Sequence, residues 1–114
     1  MTTLLALYRR PDGGDEALET LIRRYRDEHL PLVAGTPGLR RTWVKRSSRK
    51  LLGDDVVLVT GMEFDDVAAL DAGLASDAMR AAGRVLREIA PGIVTLVVLE
   101  EAPDLEAAAS HVSS

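Results

Sequence analysis

The sequence predicts an α+β domain with the element order β-α-β-β-α-β, and three observations carry that prediction. Four stretches of strand length, residues 2–8, 39–46, 56–64 and 93–100, are set off by turn residues. From Asp15 the apolar residues Leu18, Leu21, Ile22, Tyr25, Leu32 and Val33 recur at the spacing of a helix with one buried face. Between the third and fourth stretches an alanine-rich region carries Met79, Ala82, Leu86 and Ile89 on a second apolar stripe.

Each element has a local cause. Thr2 to Tyr8 is an apolar run closed by Arg9-Arg10-Pro11-Asp12-Gly13-Gly14, which is turn chemistry. The first helix is expected to start near Asp15, whose carboxylate can cap it, with Glu16 and Glu19 at the positive end of its dipole. Glu19–Arg23, Arg23–Asp27 and Arg24–Glu28 are opposite charges four residues apart, expected on its solvated face. Pro31 has no N–H for the Asp27 carbonyl, so the helix is expected to kink or end there. Thr36-Pro37-Gly38 then turns the chain into the second strand, where Trp43 and Val44 take opposite faces. Ser47 to Asp55 is polar enough for a hairpin connection, and Gly61 inside the third strand predicts a bulge or a close backbone approach. Asp65-Asp66 opens the second helical region, Ser76 restarts it as a cap, and Pro91-Gly92 ends it before the last strand.

This order is the ferredoxin-like split arrangement, with an antiparallel four-stranded sheet. Strands one, three and four are almost continuously apolar, which implies cover on both sheet faces. Two helices cover one face, and a second copy of the chain is the simplest cover for the other. A homodimer is therefore expected on physical grounds. Residues 1–102 form the expected domain; 103–114 form a C-terminal tail with a lone His111 that can hold a partial helix.

The totals bound what the protein does. A chain of 114 residues makes one domain, and 46% apolar with 28% charged residues is ordinary for a globular protein. Fourteen Lys and Arg against 18 Asp and Glu give a net charge of −4, which argues against a nucleic-acid footprint. Without cysteine there is no disulfide, thiolate nucleophile or cysteine metal site. Neither histidine sits in a cluster with metal-ligand spacing, and no glycine-rich phosphate loop follows a strand, so neither a metal nor a cofactor is expected. The start of the chain reads as a strand and not as a signal peptide, and no apolar run is long enough to span a bilayer. A cytoplasmic protein without a membrane partner is the expectation.

One place hints at chemistry. Tyr25 and His29, four residues apart, turn a phenol and an imidazole inward where leucines would serve for packing. The imidazole is the side chain that titrates near neutral pH, which makes His29 a candidate acid/base, and Tyr25 can orient it or donate to a developing oxyanion. The plainer reading is a histidine favoured in a last helical turn, bonded to a backbone carbonyl. Tyr8 and Trp43 are candidate walls of a pocket. Ser76 is placed there too, although a cap explains it better than a nucleophile does. Arg41 belongs to a basic stretch with Arg40, Lys45, Arg46, Arg49 and Lys50, readable as an anion handle or as protection of a strand edge.

Tyr25-x-x-x-His29-x-Pro31-Leu32, followed by Pro37-Gly38-Leu39-Arg40-Arg41, resembles the EthD-like family of dimeric α+β barrel proteins, and the resemblance runs from the first strand to the last. It departs at Arg26, where relatives often carry an aromatic residue. The resemblance implies two sheets packed back to back into a barrel, and a pocket between sheet and helices for a small, mostly apolar ligand, aromatic or lactone-like, with His29 nearest the chemistry. It implies either a cofactor-free isomerase, cyclase or monooxygenase, or a non-catalytic binding or accessory dimer.

Overall fold

The computed structural model describes residues 1–110. Strands β1 (Thr2–Arg9), β2 (Leu39–Arg46), β3 (Val56–Phe64) and β4 (Val94–Leu99) form one antiparallel sheet in the order β2-β3-β1-β4. Helices α1 (Gly14–Arg24), α2 (Leu30–Val33), α3 (Val67–Leu74) and α4 (Asp77–Ile89) lie on one side of the sheet, and α5 (Pro103–Ser110) follows β4. The ferredoxin-like order stands, with the second helical region divided into α3 and α4 at Ser76. Among the described residues no helix is long and apolar enough to cross a membrane.

Strand pairing sorts side chains between the two sheet faces. Pairs Leu4–Met62, Ala6–Thr60 and Tyr8–Leu58 place all six residues on the helix side, where all are buried. Phe64 and Leu70 complete the deepest part of that core. The opposite face holds Leu5, Leu7, Val59, Gly61, Trp43 and Val97, and among the described residues no helix packs on it. Cover on both sides, expected for three strands, is present in the single chain only over β1 and β3 on the helix side. Leu96, Val97, Val98 and Leu99 of β4 are all exposed.

Several boundaries and contacts differ from the sequence expectation for local reasons. Helix α1 begins at Gly14 after Gly13, which serves as the N-cap at φ 107° without a side-chain bond. Asp15 is therefore already inside the helix, and its carboxylate approaches Arg10 at 3.8 Å instead of capping. Glycine tolerates this left-handed entry, which a capping aspartate would not favour. The Arg24–Glu28 pair forms at 2.6 Å, but Glu19 bonds Arg46 on β2 and Asp27 bonds its neighbour Arg26. Asp66 and Ser76 do cap α3 and α4, accepting from the N–H groups of Ala69 and Met79.

The helix neither stops nor breaks at Pro31. Residues Tyr25–His29 form a π-helical turn, in which the Leu30 N–H reaches the Tyr25 carbonyl, and α2 continues to Val33. A proline ring clashes with the carbonyl four residues back and offers it no N–H. Widening the turn just before Pro31 relieves both demands. Such turns concentrate at functional sites, because they re-aim the side chains they carry.

Candidate functional site

The widened turn carries the two residues that hinted at chemistry. Tyr25 and His29 both face the sheet and are buried, with ring centroids 5.0 Å apart and planes inclined by 29°. Tyr8 rises from β1 to meet Tyr25 edge-on at 5.1 Å and 71°. The Ala6–Thr60 pair places Thr60 beside Tyr8 on the same face, and its hydroxyl hydrogen-bonds the Tyr25 hydroxyl. Ala6 matters here because its small side chain leaves room above the sheet for two phenols. Three hydroxyl side chains and one imidazole thus meet in a core otherwise made mainly of Leu, Val, Ala, Met and Phe.

The His29 ring has a defined orientation. Nδ1 lies 3.0 Å from the Ala82 carbonyl of α4. A carbonyl only accepts, so Nδ1 carries the proton and donates, and neutral His29 keeps its lone pair on Nε2. Burial lowers the His29 pKa from its ordinary value, partly countered by the bond to Ala82. At neutral pH this histidine is a base and not a cation. The bond to Ala82 also ties the π turn to α4 across the helical layer.

The phenols are held in the opposite state. Burial raises the Tyr8 pKa far above the ordinary value, and the neighbouring Tyr25 raises it further. Burial also raises that of Tyr25, offset in part by its hydrogen bond to Thr60. Both remain protonated at any physiological pH and can donate hydrogen bonds. A neutral imidazole beside protonated phenols is a base next to proton donors, the composition suited to moving a proton while holding a developing oxyanion.

The remaining sequence candidates lie elsewhere. Trp43 and Arg41 project from the other face of the sheet, where with Lys45 they line a shallow groove of about 240 Å³. Trp43 lies over Gly61, and a Cβ there would sit 2.1 Å from the indole. This is the close approach expected at that glycine. The indole Nε1–H donates to Glu63 at 3.2 Å, and Arg41 reaches the same carboxylate at 4.0 Å. Ser76 accepts from the Met79 N–H and donates to the Gly73 carbonyl at 2.6 Å, the bonding of a helix cap. The structure brings Tyr8, Tyr25 and His29 together and leaves Arg41, Trp43 and Ser76 outside that cluster.

Thr60 is the member the sequence did not offer. A threonine in an apolar strand has no spacing signal, and its partner Tyr25 is 35 residues away. A groove of about 560 Å³ between the start of α1 and the end of α4 is lined by Asp12, Glu16, Arg24 and Glu88 among others and includes none of the four clustered residues. Among the described residues no group of three or more His, Asp or Glu could hold a metal. His111 lies outside the described residues.

No protein-family model matches the sequence, and no curated protein matches it. Solved structures do. An ethyl tert-butyl ether D family protein from Bacillus halodurans is 30% identical, with 90% of this chain and 99% of that one covered and a TM-score of 0.78. A dimeric protein of unknown function and ferredoxin-like fold from Bacteroides fragilis is 19% identical over 88% of this chain and 95% of that one, with a TM-score of 0.67. A cofactor-independent oxygenase from Streptomyces nogalater is 18% identical over 88% and 90%, with a TM-score of 0.57. The last two share the fold. The first shares the fold and nearly a third of the sequence along almost the full length of both chains, and on that ground this chain belongs to the EthD family of ferredoxin-like proteins.

Proposed function

We propose that the protein is a homodimeric barrel protein of the cytoplasm that binds a small, mostly apolar ligand, aromatic or lactone-like. On that ligand it acts without a cofactor, His29 serving as acid/base in an isomerase, cyclase or monooxygenase reaction. The observation that carries this reading is the bond from His29 Nδ1 to the Ala82 carbonyl. It leaves the Nε2 lone pair free on a ring that stacks with Tyr25, in the cluster that also holds Tyr8, both phenols being protonated. Nε2 takes a proton from a carbon acid, an enol or a phenol, and the hydroxyls hold the resulting oxyanion. Fold kinship to an oxygenase is consistent with such a substrate without naming it. The dimer is supported by the uncovered sheet face and by the dimeric relative of the same fold.

A second reading has its own observation. All four residues of the cluster are buried, His29 being 5% exposed. A protein whose His29 serves to join the π turn to α4 would bind ligands without reacting on them, as an accessory dimer. Turnover of phenols, quinols and lactones by the native protein and by His29→Ala separates the two. The enzyme reading predicts turnover that falls by at least about a hundredfold in the variant, the scale of general acid–base catalysis. Equal rates in a folded variant would leave the binding reading.

A further inference from the structure

We propose that the hairpin tip between β2 and β3 of one copy enters the groove between α1 and α4 of another, an end-to-end contact that leaves the sheet face free. Two features carry it that neither the core nor the cluster around His29 uses, and each supplies what the other lacks.

The tip carries Arg49, Lys50, Leu51 and Leu52 in succession, all exposed. Leu51 and Leu52 are 83% and 93% exposed, more than any other large apolar side chain described. Single exposed leucines are ordinary, but two in succession at a loop tip make a continuous apolar patch. The two cations that precede them give the patch a basic collar. Neither Arg49 nor Lys50 forms an ion pair among the described residues.

The groove, of about 560 Å³, has the complementary composition. Its floor is apolar, formed by Ala17, Leu21, Ile89 and Ile93, and its volume exceeds that of two leucine side chains. Asp12, Glu16 and Glu88 stand on its rim. Arg24, the one cation among the lining residues, bonds Glu28 at 2.6 Å and approaches Glu88 at 3.8 Å. Asp12 and Glu16 are left without an ion pair among the described residues. A basic collar over an acidic rim sets opposite charges together while the leucines leave water.

Position decides between a chain's own groove and that of a second copy. The pairs Arg46–Leu58, Arg9–Val56 and Tyr8–Val94 put the tip at the same end of the sheet as segments 11–13 and 91–93, which edge the groove. Tip and groove lie on different sides of α1. Glu19 bonds Arg46 at the foot of the hairpin, whereas Glu16 and Thr20 line the groove toward α4. The tip therefore meets the groove of a second copy. With both features at one end, a two-fold brings each tip to the other copy's groove at once, and the contact closes on itself. So small a contact, below about 1,200 Å² in total, is weak and forms as concentration rises.

Because the chain has no cysteine, single introduced thiols report the arrangement cleanly. Leu52→Cys and Thr20→Cys chains, mixed and treated with a short bis-maleimide, should give a linked pair of one chain of each kind, and neither alone should link to itself. Sedimentation of the native chain from about 1 to 100 μM should reveal a larger species at the upper end. Lys50→Glu or Glu16→Lys should move its appearance to roughly tenfold higher concentration, and both reversals in one chain should recover most of that loss. Leu51→Ser/Leu52→Ser should abolish it. These four side chains are exposed, so their replacement leaves the fold intact. Absence of the mixed link, a native size constant with concentration, or a larger species indifferent to Leu51→Ser/Leu52→Ser would overturn the contact. So would binding to phosphatidylserine vesicles that Leu51→Ser/Leu52→Ser loses and Glu16→Lys keeps, since the tip would then belong to an anionic lipid surface. The mixed link reads tip and groove alone, and its outcome does not depend on the sheet-face dimer.

Discussion

Replacing Tyr25 by phenylalanine removes one oxygen and nothing else from the cluster. The Tyr25 hydroxyl is the partner of Thr60 Oγ1, and the two residues are 2% and 1% exposed. With that oxygen gone, water cannot replace it without opening the layer, so Thr60 loses its hydrogen bond in an apolar setting. Leaving a buried hydroxyl unpaired costs about 1–3 kcal/mol. Thr60→Val leaves the phenol unpaired in turn and should cost a similar amount. The double variant Tyr25→Phe/Thr60→Val removes both partners and leaves neither orphaned, so its cost should fall about 1–2 kcal/mol short of the sum of the singles. A chain of 114 residues unfolds with an entropy near 0.24 kcal/mol/K, so about 2 kcal/mol appears as a shift of about 8 °C in Tm. Thermal and urea unfolding followed by circular dichroism at one fixed protomer concentration measures all three variants, since a dimer's stability depends on concentration. Strict additivity would refute the coupling and with it the Tyr25–Thr60 hydrogen bond.

Three further outcomes follow from the same structure. Gly61→Ala puts a methyl 2.1 Å from the Trp43 ring, so the indole must leave the sheet, at a cost of about 1–3 kcal/mol and with a red shift in tryptophan fluorescence; an unchanged spectrum would contradict the contact. Ser76→Ala deletes the α4 cap and should cost about 1 kcal/mol without touching ligand turnover, whereas a large loss of turnover in a folded protein would return Ser76 to the site. The His29 pKa is lower in the folded chain than in the unfolded one. Below about pH 6.5 the unfolded state therefore takes up a proton first, and stability falls as pH drops from there toward the folded value. In unfolding measured across pH, His29→Gln should lack that part of the slope, and an identical slope would assign it to other groups.

The parts of the fold legible in the sequence are those set by neighbouring residues. Strands β2 and β3 have the expected bounds because turn residues flank each of them. The stripe Leu18, Leu21, Tyr25 and Val33 is buried as its spacing implied, and His29 is buried with it. What was not legible depends on distant partners or on small backbone choices. Thr60 becomes part of the cluster only when the β1–β3 register sets it across from Ala6 beneath Tyr25. Trp43 and Arg41 are pocket candidates by residue type alone, and the β2–β3 register puts them on the other face. The π turn hides in a sequence whose periodicity is that of an ordinary helix, and Pro31 is its only local sign. Gly13 took the cap position from Asp15 because a left-handed entry suits glycine, a preference that acidic residues downstream do not announce.

The central claim is that His29 is a neutral base with its proton on Nδ1 and its lone pair on Nε2. Long-range nitrogen–proton NMR of nitrogen-labelled protein across pH tests it most directly, with His29→Gln assigning the signals of the two histidines. The account predicts that at pH 7 the His29 Nε2 carries no proton and that the ring titrates below the ordinary imidazole value. A His29 that is charged at pH 7, or that holds its proton on Nε2, would contradict both the bond to Ala82 and the chemistry built on it.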